Sequence, residues 1–556
     1  MEIAPATFQL QSSRSHGLLW RAGLVLTALV VALPVLVIGS SLFTPYSTTW
    51  GHILDTVLVD YLLNSLALLL GVGAGTLLLG VVTAWLCATC EFAGRKVLGW
   101  ALLLPMAMPA YIIAYTYTGL LEFSGPVQTS LRSWFDWGYG DYVFPEIRSL
   151  GGAICMLSLV LYPYVYLIAR VAFANQSGAA LEAARSLGAG RWTTFFRVAL
   201  PMARPAIVAG LSLALMETLA DYGTVDYFGV STFTTGIFRT WYGLGELNTA
   251  AQLAAFLLLF VFILMAIERA SRRRMQFHTT STRSGAKRSH LRGANAMMAT
   301  GFCVLIVALG FLVPAMQLLS WAATSWKTAL DSQFLQLLWN SFTLASIASL
   351  ICLSLALFLG YGKRRYPGAI QAGAVRIAAM GYAVPGTVIA VGVLIPFGAL
   401  DNHVDALAQK LFGVSTGLLL SGTLAALIFA YVVRFLSVSL QTVESGLNRI
   451  KPSLDEAARS LGSSSGRVLR DIHLPLLRGS LLTSLLLVFV DVLKELPTTL
   501  ILRPFNFNTL AVRTYELASD ERLADAALPA LAIVIIGLLP VMLLMRNLDK
   551  GSVSHV

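Results

Sequence analysis

The sequence predicts an all-α integral membrane protein whose twelve transmembrane helices form two tandem repeats of six. Three observations indicate this: an apolar composition, apolar runs of membrane-spanning length, and motifs that recur downstream at a nearly constant offset. Of the 556 residues, 57% are hydrophobic and 12% are charged. Soluble domains average about 45–50% apolar and about 25% charged residues. The composition therefore excludes a soluble globular protein.

Twelve apolar runs have the length of roughly 20 residues that a helix needs to cross the hydrocarbon core. The first six are predicted near residues 18–43, 60–87, 97–121, 150–173, 203–227 and 246–268. The last six are predicted near residues 294–320, 336–361, 374–400, 414–440, 477–500 and 522–546. The run that begins at Leu18 is too long for a cleavable signal peptide, so we expect it to remain as the first span.

The distribution of basic residues predicts the orientation. If the N-terminus lies inside, 30 of the 39 Lys and Arg residues fall in inside segments, 8 fall in outside segments, and Lys494 lies within a span. Such a bias is the positive-inside signal of membrane proteins. It predicts that both termini are cytoplasmic. The net charge of +11 then reflects orientation, and we expect no nucleic-acid partner.

The chain repeats itself. Residues 182–188 (EAARSLG) recur as residues 456–462 at an offset of 274. Other pairs recur at offsets of 274 or 276: Leu200-Pro201 with Leu474-Pro475, Asn64-Ser65 with Asn340-Ser341, and Pro109 with Pro385. We therefore predict a first repeat at 1–268, a basic cytoplasmic linker at 269–293 and a second repeat at 294–556. An even number of spans separates the two EAARSLG segments, so the repeats are parallel and a pseudo-twofold axis along the membrane normal should relate them.

Each EAARSLG segment lies in a predicted helix–turn–helix "elbow", at 174–204 in the first repeat and at 441–478 in the second. Gly188 and Gly462 are expected to end the first helix and to adopt positive φ. Pro201 and Pro475 suit the first turn of the span that follows. Two identical elbows on the cytoplasmic face suit a symmetric dimeric partner.

The elbow sequences resemble the signature loop of binding-protein-dependent ABC importer permeases. The matching residues are Glu182, Ala183, Ala184, Gly188, Val198, Leu200 and Pro201 in the first elbow, and Glu456, Ala457, Ala458, Gly462, Ile472, Leu474 and Pro475 in the second. Val198 stands where the family usually has Ile. The resemblance covers essentially the whole chain and implies the type I ABC importer permease fold in a bacterial inner membrane.

The same resemblance implies that each elbow docks on one subunit of a cytoplasmic ATPase dimer. The sequence contains no GxxxxGK[ST] phosphate-binding loop, so ATP hydrolysis is expected in that separate subunit. We therefore expect this chain to be a transport subunit and not an enzyme. We expect it to bind no cofactor of its own, with ATP and Mg²⁺ held by the partner.

Four acidic residues lie within apolar runs at matching positions of the two repeats. Glu217 and Asp221 lie on the fifth run, and Asp491 and Glu495 on the eleventh. Ionised carboxylates are costly against lipid, so these side chains should face the bundle interior and the translocation pathway. With Tyr222 and Tyr227 nearby, their oxygens would suit a hard cation. The alternative is that the acids and Lys494 form interhelical ion pairs that fix the packing, and both interpretations can hold.

Residues 217–229, 494–500 and 503–513 resemble the fused permeases of ferric-iron importers. This resemblance implies Fe³⁺ as the transported substrate and a periplasmic iron-binding protein as a partner. Importers of thiamine, polyamines, phosphonate or sulfate share the elbow, although an acidic lining disfavours the anions. A proton-coupled secondary transporter would also have twelve spans and intramembrane acids, but it would have no use for two elbows.

Overall fold

The computed structural model describes residues 7–138, 140–176, 183–184, 186–273 and 288–553. Within these ranges, eleven helices are long and apolar enough to cross a membrane. The number rises to twelve if the bent pair Arg95–Ala107 and Ala110–Phe135 counts as one span. The predicted class, an all-α membrane protein, is confirmed.

The first half of the chain contains helices of very different lengths. They are α1 (Thr7–Ser40), α2 (Thr48–Thr56), α3 (Leu58–Thr89), α4 (Arg95–Ala101), α5 (Ala110–Leu121), α6 (Pro126–Phe135), α7 (Leu150–Ala174), α8 (Arg191–Thr194), α9 (Leu200–Ala220), α10 (Gly223–Tyr227), α11 (Phe233–Phe238) and α12 (Leu247–Arg273). Two 3₁₀ turns (Ser41–Phe43 and Leu104–Ala107) and two π-helical turns (Phe195–Ala199 and Arg239–Gly243) interrupt them.

The second half has a similar succession. Its helices are α13 (Ala294–Val307), α14 (Val313–Ala329), α15 (Ser332–Arg365), α16 (Ala369–Ala378), α17 (Gly386–Phe412), α18 (Leu424–Arg449), α19 (Pro452–Ser460), α20 (Ser465–Val468), α21 (Leu474–Lys494), α22 (Pro497–Leu502), α23 (Leu510–Ser519) and α24 (Leu523–Val553). π-helical turns at Ala308–Leu312 and Leu469–His473 and a 3₁₀ turn at Gly381–Ala383 interrupt them. The short strands β1 (Cys90–Glu91) and β2 (Ser289–His290) pair in parallel.

The fifth and eleventh predicted spans begin and end too late. The structure gives Trp192–Ala220 and Ser465–Lys494 in place of 203–227 and 477–500. Each π-helical turn joins the second elbow helix to the span without a break, so Pro201 and Pro475 lie inside a longer helix. A proline removes one backbone donor and crowds the preceding turn, and the wider π turn accommodates this.

The third and ninth predicted spans are broken at equivalent prolines. A bend of 93° separates Arg95–Ala107 from Ala110–Phe135. In the second half, α16, a 3₁₀ turn and α17 replace a single helix at 374–400. Pro109 and Pro385 precede the new helices with nearly the same backbone angles, φ −56° with ψ 145° and φ −56° with ψ 143°. Because proline cannot donate to the previous turn, the chain starts a new helix there.

Two asparagines show that the repeats share local structure. The Asn64 side-chain amide donates to the Ser231 carbonyl at 2.9 Å. The Asn340 amide donates to the Asn508 carbonyl at 3.1 Å. In each half the bond holds the irregular segment that follows a short helix, α10 in the first half and α22 in the second. The duplicated asparagine therefore makes the same tertiary contact in both halves.

The chain divides into two compact units that do not follow the predicted repeat boundaries. One unit combines residues 1–44 with 336–509. In this unit α1 packs against α16 and α17. Trp20 stacks on Phe358 with ring centroids 4.7 Å apart, and a Cβ on Gly392 would lie 2.5 Å from the Pro34 carbonyl oxygen. The first helix of the chain is therefore packed on helices of the second half.

The other unit combines residues 45–335 with 510–556. Here the first long helix of the second half packs against helices of the first half. The Tyr117 hydroxyl donates to the Leu309 carbonyl at 2.6 Å. The Ser325 hydroxyl donates to the Ala524 carbonyl at 2.8 Å, which joins α14 to α24. The first helix of each half therefore belongs to the compact unit that holds most of the other half. The division into repeats at 1–268 and 294–556 remains a prediction from the sequence.

Replacing Gly392 with Ala tests the packing of α1 on α17. The added methyl group would collide with backbone, so we expect a loss of about 1–3 kcal/mol in the free energy of unfolding, as for other overpacked sites. Denaturation of the purified protein in detergent measures it. The matched control is Gly373→Ala on α16, where an added Cβ meets nothing within 4 Å. Equal stability of the two variants would contradict the close approach of α1 to α17.

Candidate functional site

Of the first elbow, the structure describes residues 174–176, 183–184 and 186–204; Glu182 lies outside the described residues. The Leu187 amide donates to the Ala183 carbonyl at 3.1 Å, and the Ala189 amide donates to the Ala184 carbonyl at 3.0 Å. Gly188 has φ +82°. A bond that spans five residues around a left-handed glycine is the Schellman ending of a helix. The expected positive φ at this glycine is confirmed.

The second elbow has the same turn. Helix α19 ends where the Gly462 amide donates to the Arg459 carbonyl at 2.9 Å and the Ser463 amide donates to the Ala458 carbonyl at 3.0 Å. Gly462 has φ +79°. Ser464 then caps α20 by accepting from the Arg467 amide. The two elbows therefore share one backbone design.

The tip of each elbow carries an exposed leucine that the sequence analysis did not single out. Leu187 is 88% exposed and Leu461 is 85% exposed. They stand at equivalent positions, each immediately before the left-handed glycine. A single exposed leucine is ordinary on a protein surface, but its recurrence at the same place in both elbows makes this turn a candidate contact surface. The leucine lies inside the repeated EAARSLG motif, and this repetition could have identified it from the sequence.

The other elbow residues divide between the free surface and the interior. Ala183, Glu456 and Ala457 are exposed, Ala184 is half-buried and Ala458 is buried. One alanine of each pair thus faces outward, where its small size permits close approach of another helix. At the far ends of the elbows, Leu200 and Leu474 are half-buried, whereas Pro201 and Pro475 are exposed.

A buried ion-pair cluster fastens the second elbow. Asp455 accepts from Arg364 Nε at 2.9 Å and from His473 Nε2 at 2.7 Å. Burial alone would raise the pKa of the Asp455 carboxyl, but the hydrogen bonds from Arg364 and His473 outweigh it and hold the pKa below its usual value. Since the folded-state pKa is the lower one, the stabilisation is present above about pH 4 and disappears as the pH falls through the lowered pKa.

The first elbow is fastened by aromatic rings. Phe195, in the π turn, meets the Trp85 ring edge-on with centroids 5.0 Å apart, and Trp85 meets Phe173 at 5.3 Å. The Gln176 amide also donates to the Ala199 carbonyl at 2.8 Å. The two elbows share their backbone but differ in the chemistry that anchors them.

Two of the candidate acids, Asp221 and Glu495, cap helices. Asp221 accepts from the Thr224 and Val225 amides at 3.0 and 3.2 Å. Glu495 accepts from the Thr498 amide and hydroxyl at 3.1 and 2.5 Å. In both halves the carboxylate follows the end of a span and satisfies the amides of the next short helix. Capping is a role that neither the cation-site nor the ion-pair interpretation had assigned to these two acids.

Glu495 also forms a buried ion pair. Its Oε1 lies 3.2 Å from Arg434 Nη1, with the two side chains 6% and 7% exposed. Arg434 is one of the 30 basic residues that the charge count places on the inner side, although the predicted span at 414–440 contains it; in the structure it lies inside the span Leu424–Arg449. That assignment is therefore wrong, because a buried carboxylate supplies the partner that lets an arginine sit at this depth. The number of Lys and Arg residues counted on the inner side falls from 30 to 29, and the positive-inside bias remains.

The remaining two acids are half-buried. Asp491 pairs with Lys494 at 2.8 Å, with the side chains 17% and 31% exposed; both residues lie on α21, so this pair is within one helix and not interhelical as expected. Glu217 is half-buried on α9. The four acids divide between the two compact units, Glu217 and Asp221 in one and Asp491 and Glu495 in the other.

The candidate tyrosines have different neighbours. Tyr222 is buried and donates to Asp226 Oδ2 at 3.1 Å, and Tyr515 donates to the same oxygen at 2.5 Å. Tyr227 lies under the Arg148 guanidinium, 5.1 Å from the ring centroid. Sequence reasoning missed Asp226, whose partner Tyr515 is 289 residues away. Among the described residues, no cluster of three His, Cys, Asp or Glu side chains could hold a metal ion.

Comparison with known proteins gives relatives over the whole length and over parts of the chain. The Fe(3+)-transport system permease protein FbpB 2 of Haemophilus influenzae is 26% identical over 500 residues, 89% of this chain and 91% of that protein. The molybdenum transport system permease protein ModB of Escherichia coli is 30% identical over 174 residues, 31% of this chain and 71% of that protein. A probable sulfate transport system permease protein of Chlorokybus atmophyticus is 30% identical over 152 residues, 26% of this chain and 48% of that protein.

A family model matches both halves of the chain. It describes the binding-protein-dependent transport system inner membrane component and matches residues 10–277 and again 352–553. The double match confirms the internal repeat, and together with the membrane helices and the paired elbows it assigns the fold. The chain belongs to the family of binding-protein-dependent transport system inner membrane components, multi-pass permeases with the type I ABC permease fold.

Proposed function

We propose that this chain is the permease of an ATP-driven importer that moves Fe³⁺ from the periplasm to the cytoplasm by alternating access. The observation that carries the importer class is the pair of matching elbows. Each presents an exposed leucine beside a left-handed glycine, 88% exposed at Leu187 and 85% at Leu461. Two equal projections suit the two subunits of a cytoplasmic ATPase dimer.

The charge bias supports the proposed orientation. With both termini and both elbows in the cytoplasm, Lys and Arg remain concentrated on the inner side after Arg434 is removed from the count. The outer side would then receive substrate from a periplasmic iron-binding protein. ATP and Mg²⁺ would be bound by the ATPase subunits, and closure of their dimer would move the elbows.

Iron is the finer part of the proposal. The relative named for ferric transport matches 91% of its own length, whereas the molybdenum and sulfate relatives match 71% and 48% of theirs. Those two substrates are carried as anions, and the acidic spans are chemically unsuited to them. Glu217 is the strongest pathway candidate of the four acids, since Asp221 and Glu495 cap helices and Asp491 is paired with Lys494.

The direct test is uptake by proteoliposomes that contain this permease, its ATPase and a binding protein. We expect ATP-dependent uptake of radioactive Fe³⁺ delivered by the binding protein. Molybdate, sulfate, phosphonate, thiamine and polyamines are offered in parallel. ATP-dependent uptake of one of these instead of iron would reassign the substrate within the importer class. Uptake that needs neither ATPase nor binding protein would make the chain a proton-coupled secondary transporter.

Substitution of the elbow glycines tests the coupling role. A β-branched residue is a severe outlier at positive φ, so Gly188→Val or Gly462→Val should reorient the exposed leucine. We expect ATP-driven uptake to fall at least tenfold while the permease still inserts at normal levels. The matched controls are Gly190→Val and Gly466→Val, positions with open space for a Cβ and without positive φ. Normal uptake by both elbow variants would exclude the elbows as the coupling site.

Substitution of Glu217 and of Glu495 distinguishes a carboxylate that lines the translocation pathway from one that stabilises helix packing. Glu217→Gln should slow iron uptake severalfold and leave thermal stability unchanged, because Glu217 is half-buried and its charge serves the cation. Glu495→Gln should destabilise the protein by about 3–5 kcal/mol, because it removes the carboxylate of a buried ion pair with Arg434. Uptake rate and melting temperature are measured for both variants. A stability loss at Glu217 with no kinetic defect in the surviving protein would reverse its assignment.

A further inference from the structure

The second elbow is joined to two membrane helices through one carboxylate. Asp455 lies on α19, the first elbow helix. Its Oδ2 binds Arg364 at the end of α15, and its Oδ1 binds His473 in the π turn that leads into α21. The Arg364, Asp455 and His473 side chains are 16%, 10% and 0% exposed. A single side chain therefore connects the elbow to one span on each side of it.

Further bonds make this junction stiff. Arg364 also donates to the Leu447 carbonyl and, at 3.0 Å, to the Ile450 carbonyl, which fixes the chain that enters α19. Tyr361 donates to the Ser465 carbonyl at 2.8 Å, and Arg365 donates to the Ser465 hydroxyl at 3.1 Å. The end of α15 thus holds both the start and the turn of the elbow. Since a bidentate, partly buried carboxylate has little rotational freedom, α19 has to move together with these helices.

The first repeat lacks the residue types that form this junction. The residues equivalent to Arg364, Asp455 and His473 are Ala88, Leu181 and Ala199, none of which can form an ion pair. Among the residues that the structure describes around that elbow, the Trp85, Phe173 and Phe195 rings make anchoring contacts. Ring packing is non-directional in comparison with charge-assisted hydrogen bonds, so it permits small rotations at lower cost.

We propose that Asp455 is a positioning residue for coupling: it makes the second elbow move as one rigid piece with α15 and α21, and the first elbow has no counterpart. The two halves then transmit ATPase movement by different chemistry in spite of their identical EAARSLG segments. This inference rests on the proposed coupling role of the elbows.

The test substitutes Asp455 with Asn in the full chain, assembled with its ATPase and iron-binding protein. The matched control is Glu444→Gln, which breaks the Lys363–Glu444 pair of 2.8 Å. That pair lies at the same end of α15, but its carboxylate is on α18 and does not contact the elbow helix α19. The first measurement is Fe³⁺ transported per ATP hydrolysed. We expect at least a threefold drop for Asp455→Asn and no change for Glu444→Gln.

The second measurement is independent of transport. Spin labels replace the exposed residues Ser453 on α19 and Ser354 on α15 in a background without the five native cysteines. The distance distribution should be narrow in the parent and in Glu444→Gln, and clearly broader in Asp455→Asn. If Asp455→Asn does not insert, His473→Phe removes one of the two bonds and keeps a ring against Tyr361. We expect this variant to show the same changes to a lesser degree.

The outcomes separate the two proposals. Parent-like transport per ATP in both Asp455→Asn and His473→Phe would overturn the positioning role, and so would an unchanged distance distribution. If the unsubstituted protein shows no ATP-driven uptake at all, the proposed function fails. The spin-label distances then still decide whether Asp455 fixes the elbow to α15.

Discussion

A helix in the hydrocarbon core satisfies its own backbone hydrogen bonds, and any break in a span exposes amides and carbonyls that lipid cannot satisfy. This chain breaks its spans at equivalent places in both halves. Asp221 and Glu495 accept the free amides of the short helices that follow. Asn64 and Asn340 donate to carbonyls of the irregular segments beyond. These polar side chains inside the apolar runs therefore satisfy backbone groups that the breaks in the spans would otherwise leave without hydrogen bonds.

The two halves meet this requirement with different charges. In the second half, Arg434 compensates Glu495, and Lys494 compensates Asp491. The corresponding positions in the first half are occupied by Val160 and Ala220. The first half thus keeps Glu217 and Asp221 without counterparts of these two basic residues.

The elbows combine a rigid turn with an anchored base. The left-handed glycine fixes the direction of the exposed leucine, since a Schellman ending leaves the turn few alternatives. The π turn before each proline joins the second elbow helix to the following span without a break. In the proposed coupling, a displacement at the tip would be carried along this continuous helix into the membrane. Such transmission requires a stiff connection, which the Asp455 cluster provides in one half and aromatic packing in the other.

Periodicity and repetition were enough to predict the helical class, the duplication, the elbows and the positive φ of Gly188 and Gly462. These depend on local chemistry: apolar length, glycine stereochemistry and proline's missing donor. The sequence also identified the acidic positions, because a carboxylate inside an apolar run is conspicuous. It did not show which acids cap helices, since a capping bond and a pathway-facing carboxylate have the same sequence signature.

Only the tertiary structure revealed the contacts between residues that are far apart in the sequence. The buried partner of Arg434 is Glu495, 61 residues away. The exchange of the first helix between halves, the Tyr515–Asp226 bond and the Asp455 cluster are also long-range. Their pairing depends on how helices pack in three dimensions, and no local pattern encodes it. The sequence by itself therefore determined the elements and their repetition, whereas packing determined which of the charged side chains form ion pairs and which cap helices.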